Sequence, residues 1–384
     1  MIPGGRYWRW AVVAAAMLVV GGVPALANAR PVRSTSIGPA QLRDRIMASA
    51  VRPYQGYAVS TGSAGLPTLP QLGDVIRLLD GDTQLRVWYA GPGRWRTDVI
   101  EGGAERDLYQ LPGRQVSWDF SGNQLTEVLG TPPVRLPRGA DLVPPDLARR
   151  LLAMAGHDPA AASGSSADRL SALPPLRVAG IAAAGLRVTP RDPRSTIGQV
   201  DIWADPRTGL PLQVAVTSRG ASTPVLRTRF LEVGFNAPTA AVLAPPVPRP
   251  GMGATETDAS DITGGLALVR PGPLPDRLAG QARAGTTPVG IAAAAVYGTG
   301  FTQFVVVPTS RAVGLEAMRR ATQAAGTSLT FPNGDGVLLS ASLLSVLAMD
   351  SHPARRNYLV AGLVDGELLR QVGMELSAFR PARR

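Results

Sequence analysis

The stretch GQVDIWADPRTGLPLQVAV, residues 198–216, reads as two strands joined by a turn. Residues 199–204 alternate, with Val200 and Ile202 on one face and Asp201 and Trp203 on the other. Pro206 fixes φ and Gly209 supplies a positive φ at no steric cost, so residues 205–209 have the composition of a turn. Leu212, Val214 and Val216 then resume the period of two on one face. The hairpin thus carries large apolar groups on both faces, one of them a tryptophan, and the rest of the chain has to account for both.

The pattern repeats outward from this hairpin. TQLRVWYA, RWRTDVI, ERDLYQL, QVSWDF and QLTEVL follow one another between residues 83 and 129, broken by GPG, EGG, PGR and SGN. Such spacing predicts consecutive antiparallel strands. YQGYAVST (residues 54–61) precedes them as a strand, and VLRTRFLEVGF (225–235) follows the opening hairpin. Two helices punctuate the strands. Residues 37–50 carry Leu42, Ile46 and Ala50 at four-residue spacing. Residues 144–156 start on proline and stop on glycine. The 43 Gly and 35 Pro, about a fifth of 384 residues, suit many short strands joined by turns.

Residues 244–261, APPVPRPGMGATETDASD, have no periodicity and read as a Pro-rich linker. Beyond them, VGIAAAAVYGT, FTQFVVVPT, TSLTF and NYLVAGLV are strand candidates. AVGLEAMRRATQAA and DGELLRQVGMEL are helices, the second capped by Asp365. GVLLSASLLSVLAMD is also a strand candidate, although periodicity alone leaves a helix open. The expected organisation is a first domain over 30–243, the linker over 244–261, and a small α+β domain over 262–384.

The first residues set the compartment. Arg6 and Arg9 precede the apolar run AVVAAAMLVVGGV, and Ala27-Asn28-Ala29 offers a small-residue cleavage site, so residues 1–29 read as an export signal. The run is short for a bilayer span, and an uncleaved anchor is the alternative. The expected location is the cell envelope, in a periplasm-like space.

Several chemistries are disfavoured. The chain has no cysteine and two histidines, His157 and His352, both in turn-like contexts far apart in sequence. That leaves no thiol chemistry and no His/Cys set for zinc or copper, so no metal or cofactor is expected. No G-x-S-x-G elbow is present, and the G-x-G of YGTGFTQF lies between strands as a hairpin turn. The chain therefore reads as a binding protein and not an enzyme. The formal net charge is +11, with all 39 basic residues arginine, but they are scattered in pairs and form no stripe, so no nucleic-acid partner is expected.

Apolar surface remains. Trp88, Trp95, Trp118 and Trp203 all fall in predicted strands of the first domain, and neighbours such as Val87 and Trp88 must point oppositely. A curved sheet packed on both faces explains this. So does a half-closed barrel whose concave face holds a cavity for an acyl chain or peptide. In the second reading Trp88, Tyr89, Trp95, Trp118 and Trp203 are the candidate cavity residues.

The order helix, strand, meander, helix, and then VDIWADPRTGLPLQV, resembles the LolA/LolB superfamily, more closely its two-domain MucB/RseB branch. The hairpin matches the family's strand, D-x-x-T-G-L-P, strand signature, and YQGYAVST and GRQVSWDFSGNQLTEV are weaker matches. The resemblance spans about residues 36–245 and does not fix cavity residues by motif. It implies a mainly β fold: a half-open antiparallel β-barrel with helices lodged against it, beside the small C-terminal α+β domain. It also implies a non-enzymatic extracytoplasmic role. One form is a regulator that binds a membrane anti-sigma factor and senses lipid or lipoprotein. The alternative is a LolA-like carrier of lipids or acylated proteins.

Overall fold

The alternation read from the sequence becomes a sheet in the computed structural model, which describes residues 37–65, 77–130, 138–155, 168–258, 273–284, 294–352 and 356–380. The export signal and His157 lie outside these residues. The first helix, α1 (Pro39–Ala48), leads into β1 (Tyr54–Gly62). The meander gives β2 (Asp82–Gly91), β3 (Arg94–Glu101), β4 (Ala104–Leu111), β5 (Arg114–Asp119) and β6 (Gln124–Leu129), then α2 (Pro144–Met154). Next come β7 (Arg169–Val178), β8 (Ile181–Thr189), β9 (Ile197–Ala204), β10 (Pro211–Ser218), β11 (Leu226–Gly234) and β12 (Gly253–Asp258). These strands form one twelve-stranded sheet in the order β12-β6-β5-β4-β3-β2-β1-β11-β10-β9-β8-β7. It is an open sheet: β12 and β7 stand at its two edges and do not pair with each other.

The quoted hairpin is β9–β10, with Val214 opposite Ile202 and Val216 opposite Val200. Its turn is held by Asp205, whose carboxylate accepts from the Arg207 amide at 3.1 Å and the Thr208 hydroxyl at 2.8 Å. Gly209 has φ 76° and lies against the Arg45 carbonyl of α1, where a Cβ would collide with backbone. The Arg45 guanidinium also donates to the Pro206 carbonyl. Glycine in this turn thus lets the hairpin press directly on the first helix.

Both helices lie on one face of the sheet, which we call the helix face. Leu42 and Ile46 of α1 and Leu151 and Leu152 of α2 join Ala58, Leu85, Val87, Ile202, Leu212, Val214 and Phe230 in a single buried core. The other face is not covered by these helices and is called the open face.

Residues 253–258, inside the stretch read as linker, form β12 and pair in parallel with β6. The strand is exposed along most of its length, so no apolar alternation marks it in the sequence.

The C-terminal part opens with the two-residue ladder β13 (Arg277–Leu278) and β14 (Gln281–Ala282). A six-stranded antiparallel sheet then uses β15 (Ala295–Tyr297), β16 (Phe304–Thr309), β17 (Thr327–Phe331), β18 (Gly334–Ser340), β19 (Ser345–Ser351) and β20 (Arg356–Gly362). GVLLSASLLSVLAMD is therefore the hairpin β18–β19. Helix α3 (Arg311–Gln323) lies against Asn357 through Gly314, and α4 (Gly366–Ala378) covers the opposite face with Leu368, Leu369, Val372 and Leu376. Asp365 caps α4, accepting from the Leu368 amide at 2.8 Å.

Two strand-like hydrogen bonds tie this part to the large sheet: Thr196 N–H to the Leu363 carbonyl at 3.0 Å, and Asp365 N–H to the Arg194 carbonyl at 2.8 Å. The Thr196 hydroxyl donates to the Leu343 carbonyl at 2.6 Å. Phe301 is buried in the core of the large sheet, with Leu343 and Leu363 packed against that core.

Candidate functional site

Strand parity decides where each candidate residue points. Leu85, Val87 and Tyr89 alternate into the core, so Gln84, Arg86 and Trp88 stand on the open face. Across the ladder, Trp88 is opposite Gln55, which is opposite Gly234, and Arg86 is opposite Tyr57, which is opposite Glu232. These two rows make a depression of about 610 Å³ on the open face. Arg86, Trp88 and Tyr57 form one side and Glu232 the other, over Gln55, Gly234 and the backbone of Gly56 and Val233, whose own side chain packs into the helix-face core.

The floor has a reason to be bare. A bulge interrupts the β1–β11 pairing between Tyr57 and Ala58. Gly56 faces the helix side there, where a Cβ would meet the Glu232 carbonyl and the Phe230 ring. Gly234 faces the opening, and the nearest atom to a Cβ would be Gln55 Cγ at 3.9 Å. Bulges commonly re-aim side chains beside binding sites.

Behind Trp88 lies a charged cluster on the same face. Arg96 donates to both oxygens of Asp98 at 2.6 and 2.9 Å and to Asp107 at 2.9 Å. Its guanidinium also stacks 5.0 Å from the Trp88 ring centroid and 5.1 Å from that of Tyr109. The Tyr109 hydroxyl donates to Asp107 at 3.2 Å. Asp98 is 1% exposed and Asp107 6%. Glu105 brings a third carboxylate, each of the three offering an oxygen within 4.8 Å of the others. The arginine already bridges the two aspartates, so the cluster reads as a compensated ion network supporting Trp88.

Burial pushes the Asp98 carboxyl up to about 7; the Asp107 charge adds to this, against the Arg96 hydrogen bonds that oppose it. An unfolded aspartate titrates near ~3.9. Between those values the folded chain holds a proton that the unfolded chain has released. Stability from this group is therefore complete below about pH 4 and is lost as pH rises through about 7. Melting temperatures at pH 5 and pH 8 test this: the wild type should fall across the interval, and Asp98→Asn should fall less. An equal fall in both proteins would remove Asp98 as the cause.

The sequence-derived candidates do not converge on one cavity. Trp88 lines the depression. Tyr89 points into the core, stacked on Tyr54 at 4.9 Å, with its hydroxyl donating to the Ala50 carbonyl at 2.6 Å. Trp95 is opposite Tyr89 and so shares the helix face. Trp118 is on the open face three strands from Trp88, packed with the satellite cluster of Tyr109, Val116 and Leu125. Trp203 is also on the open face, four strands away on the other side, and donates its indole N–H to the Pro174 carbonyl at 3.1 Å. At about 4.8 Å per strand, these open-face tryptophans are more than ~12 Å apart. His352 is 70% exposed, 3.4 Å from Asp350.

Sequence reading did not single out Arg86, Glu232, Gly234 or the Arg96–Asp98–Asp107 network. A signal was present: LRVW, RWRTD and RDLY each alternate a charged residue with a neighbour of the same parity.

No family model and no curated protein sequence matches the chain. Among solved structures, it is similar to the MucA/MucB complex of Pseudomonas aeruginosa, at 17% identity over 88% of this chain and 97% of that one, with a TM-score of 0.47. A crystal structure of MucB aligns at 17% identity over 90% and 98%, TM-score 0.42. A LolA superfamily protein from Nitrosomonas europaea aligns at 10% identity over 55% and 99%, TM-score 0.25.

Proposed function

We propose that this chain is a non-enzymatic extracytoplasmic binding protein, an RseB-like regulator that docks on the outer segment of a membrane anti-sigma factor. Lipid or lipoprotein would act on it by displacing that partner. The observation that supports the reading is where space is found. Beneath the helices, Leu42, Ile46, Leu152 and Ile202 are at most 1% exposed, so the protein's own side chains fill the helix face. The depression is on the open face instead, and it mixes apolar Trp88 with charged Arg86 and Glu232. A mixed, open surface suits a protein segment, whereas an acyl-chain carrier needs a predominantly apolar compartment. The LolA-like carrier is thus the second reading.

Export through residues 1–29 belongs to the same proposal. No helix among the described residues is long and apolar enough to cross a membrane.

Co-purification of the tagged full-length chain from detergent-solubilised membranes of its native host tests the proposal. The expected result is a membrane-anchored anti-sigma factor in stoichiometric amount. Recovery of many acylated proteins with no such regulator would establish the carrier reading instead.

A further inference from the structure

On the three strands that form the depression, arginines outnumber acids; on the next strand Asp98 stands opposite Arg86, but both its carboxylate oxygens are held by Arg96. On β2, β1 and β11, parity places Arg86, Arg227 and Arg229 on this face, against two acids, Asp82 and Glu232. All three arginines are exposed, and none has an ion-pair partner among the described residues. Removing Arg86 from the protein therefore breaks no described ion pair, and its charge is available to a ligand.

The two rows of the depression have the repeat of an extended chain. The row Arg86–Tyr57–Glu232 and the row Trp88–Gln55–Gly234 are two residues apart along each strand, about 6.6–6.8 Å. Side chains i and i+2 of an extended peptide are separated by the same distance. One can therefore meet the guanidinium while the next rests on the indole and the bare floor at Gly234.

We infer that the depression holds an extended acidic segment of the protein partner, of the pattern Asp/Glu-x-apolar, with its carboxylate on Arg86 and its apolar side chain between Trp88 and Gly234. This rests on the reading that the chain holds a protein segment, and it names the chemistry of that segment. Arg86 supplies a fork of donors suited to a carboxylate. Glu232, on the far side of Tyr57, sets the register by repelling a carboxylate placed there.

Fluorescence anisotropy on the full-length chain tests the inference, using labelled, end-blocked heptapeptides with a central Glu-Thr-Phe or Gln-Thr-Phe. The acidic peptide should bind at least tenfold tighter than its amide twin, and added salt should weaken it. Arg86→Glu should abolish that preference and Arg86→Lys should keep part of it. Gly234→Phe should block both peptides, because its side chain fills the floor. Glu232→Gln should tighten the acidic peptide severalfold. Circular dichroism of the Arg86 variants and the melting temperature of Arg86→Lys should match wild type, since the residue is exposed and has no described ion-pair partner; Arg86→Glu, opposite Asp98, is compared by circular dichroism alone.

Equal affinity for the two peptides, or indifference to Arg86→Glu, overturns the inference. So does binding to phosphatidylglycerol vesicles in place of peptide. Two outcomes separate it from the reading it rests on. If Arg86→Glu still captures the membrane regulator undiminished, the inference fails and the reading stands. If the full-length chain captures no regulator yet selects the acidic peptide through Arg86, the reading fails and the site stands.

Discussion

Arg96→Met is expected to cost about 3–5 kcal/mol of folding stability, the range for removing one partner of a buried ion pair. Three of the arginine's hydrogen bonds end on Asp98 and Asp107, which are 1% and 6% exposed. Without it, two carboxylates remain on neighbouring strands with no cation between them. Asp98 is pushed up to about 7 by burial even with the arginine present, so losing that counter-charge moves it further upward. A bound proton can then replace part of the lost charge at low pH but not at high pH. The loss should therefore be larger at pH 8.5 than at pH 5.5. Urea unfolding at the two pH values measures it. A loss below about 1 kcal/mol at both, the size of an exposed pair, would mean that the cluster is solvated. Arg96 also stacks on Trp88, so the variant should bind the acidic peptide less well even where it remains folded.

This network shows what the sequence made legible and what it did not. The hairpin at 198–216, the meander and the four described helices could be read because each has a strong local period and turn chemistry at its ends. Tyr54, Tyr89 and Phe230 pack together across three strands, a contact fixed by register and not by spacing. β12 was hidden because an exposed edge strand has no apolar alternation to display. The tryptophans drew attention as bulky apolar groups, yet parity divides them between the faces and separates those that share one. Arg86 looked like any other arginine among 39. It stands out only once the structure shows that Asp98, its cross-strand neighbour, is held by Arg96 instead.

The seam between the two sheets carries the second large expectation. Phe301 lies in a short turn, Gly300–Thr302, just before β16 of the small sheet, yet its ring is 2% exposed within the core of the large one. Phe301→Ala should cost about 3–5 kcal/mol, as for other buried aromatic truncations. This side chain links two cores, so the effect should not be uniform. Backbone bonds from Thr196 and Asp365 remain in the variant, but each contributes only about 0.5–1.5 kcal/mol net. Division of the chain into two folding units across residues 244–261 is a proposal that this seam tests. If it is right, calorimetry should show one dominant transition for wild type and two for Phe301→Ala, the small sheet melting separately. A single transition shifted to lower temperature would mean that both sheets form one cooperative unit and that residues 244–261 divide nothing. The position of β12 makes the test sharp. It ties part of that stretch to β6, so any separation must occur after Asp258, with the large sheet retaining its edge strand while the small one unfolds.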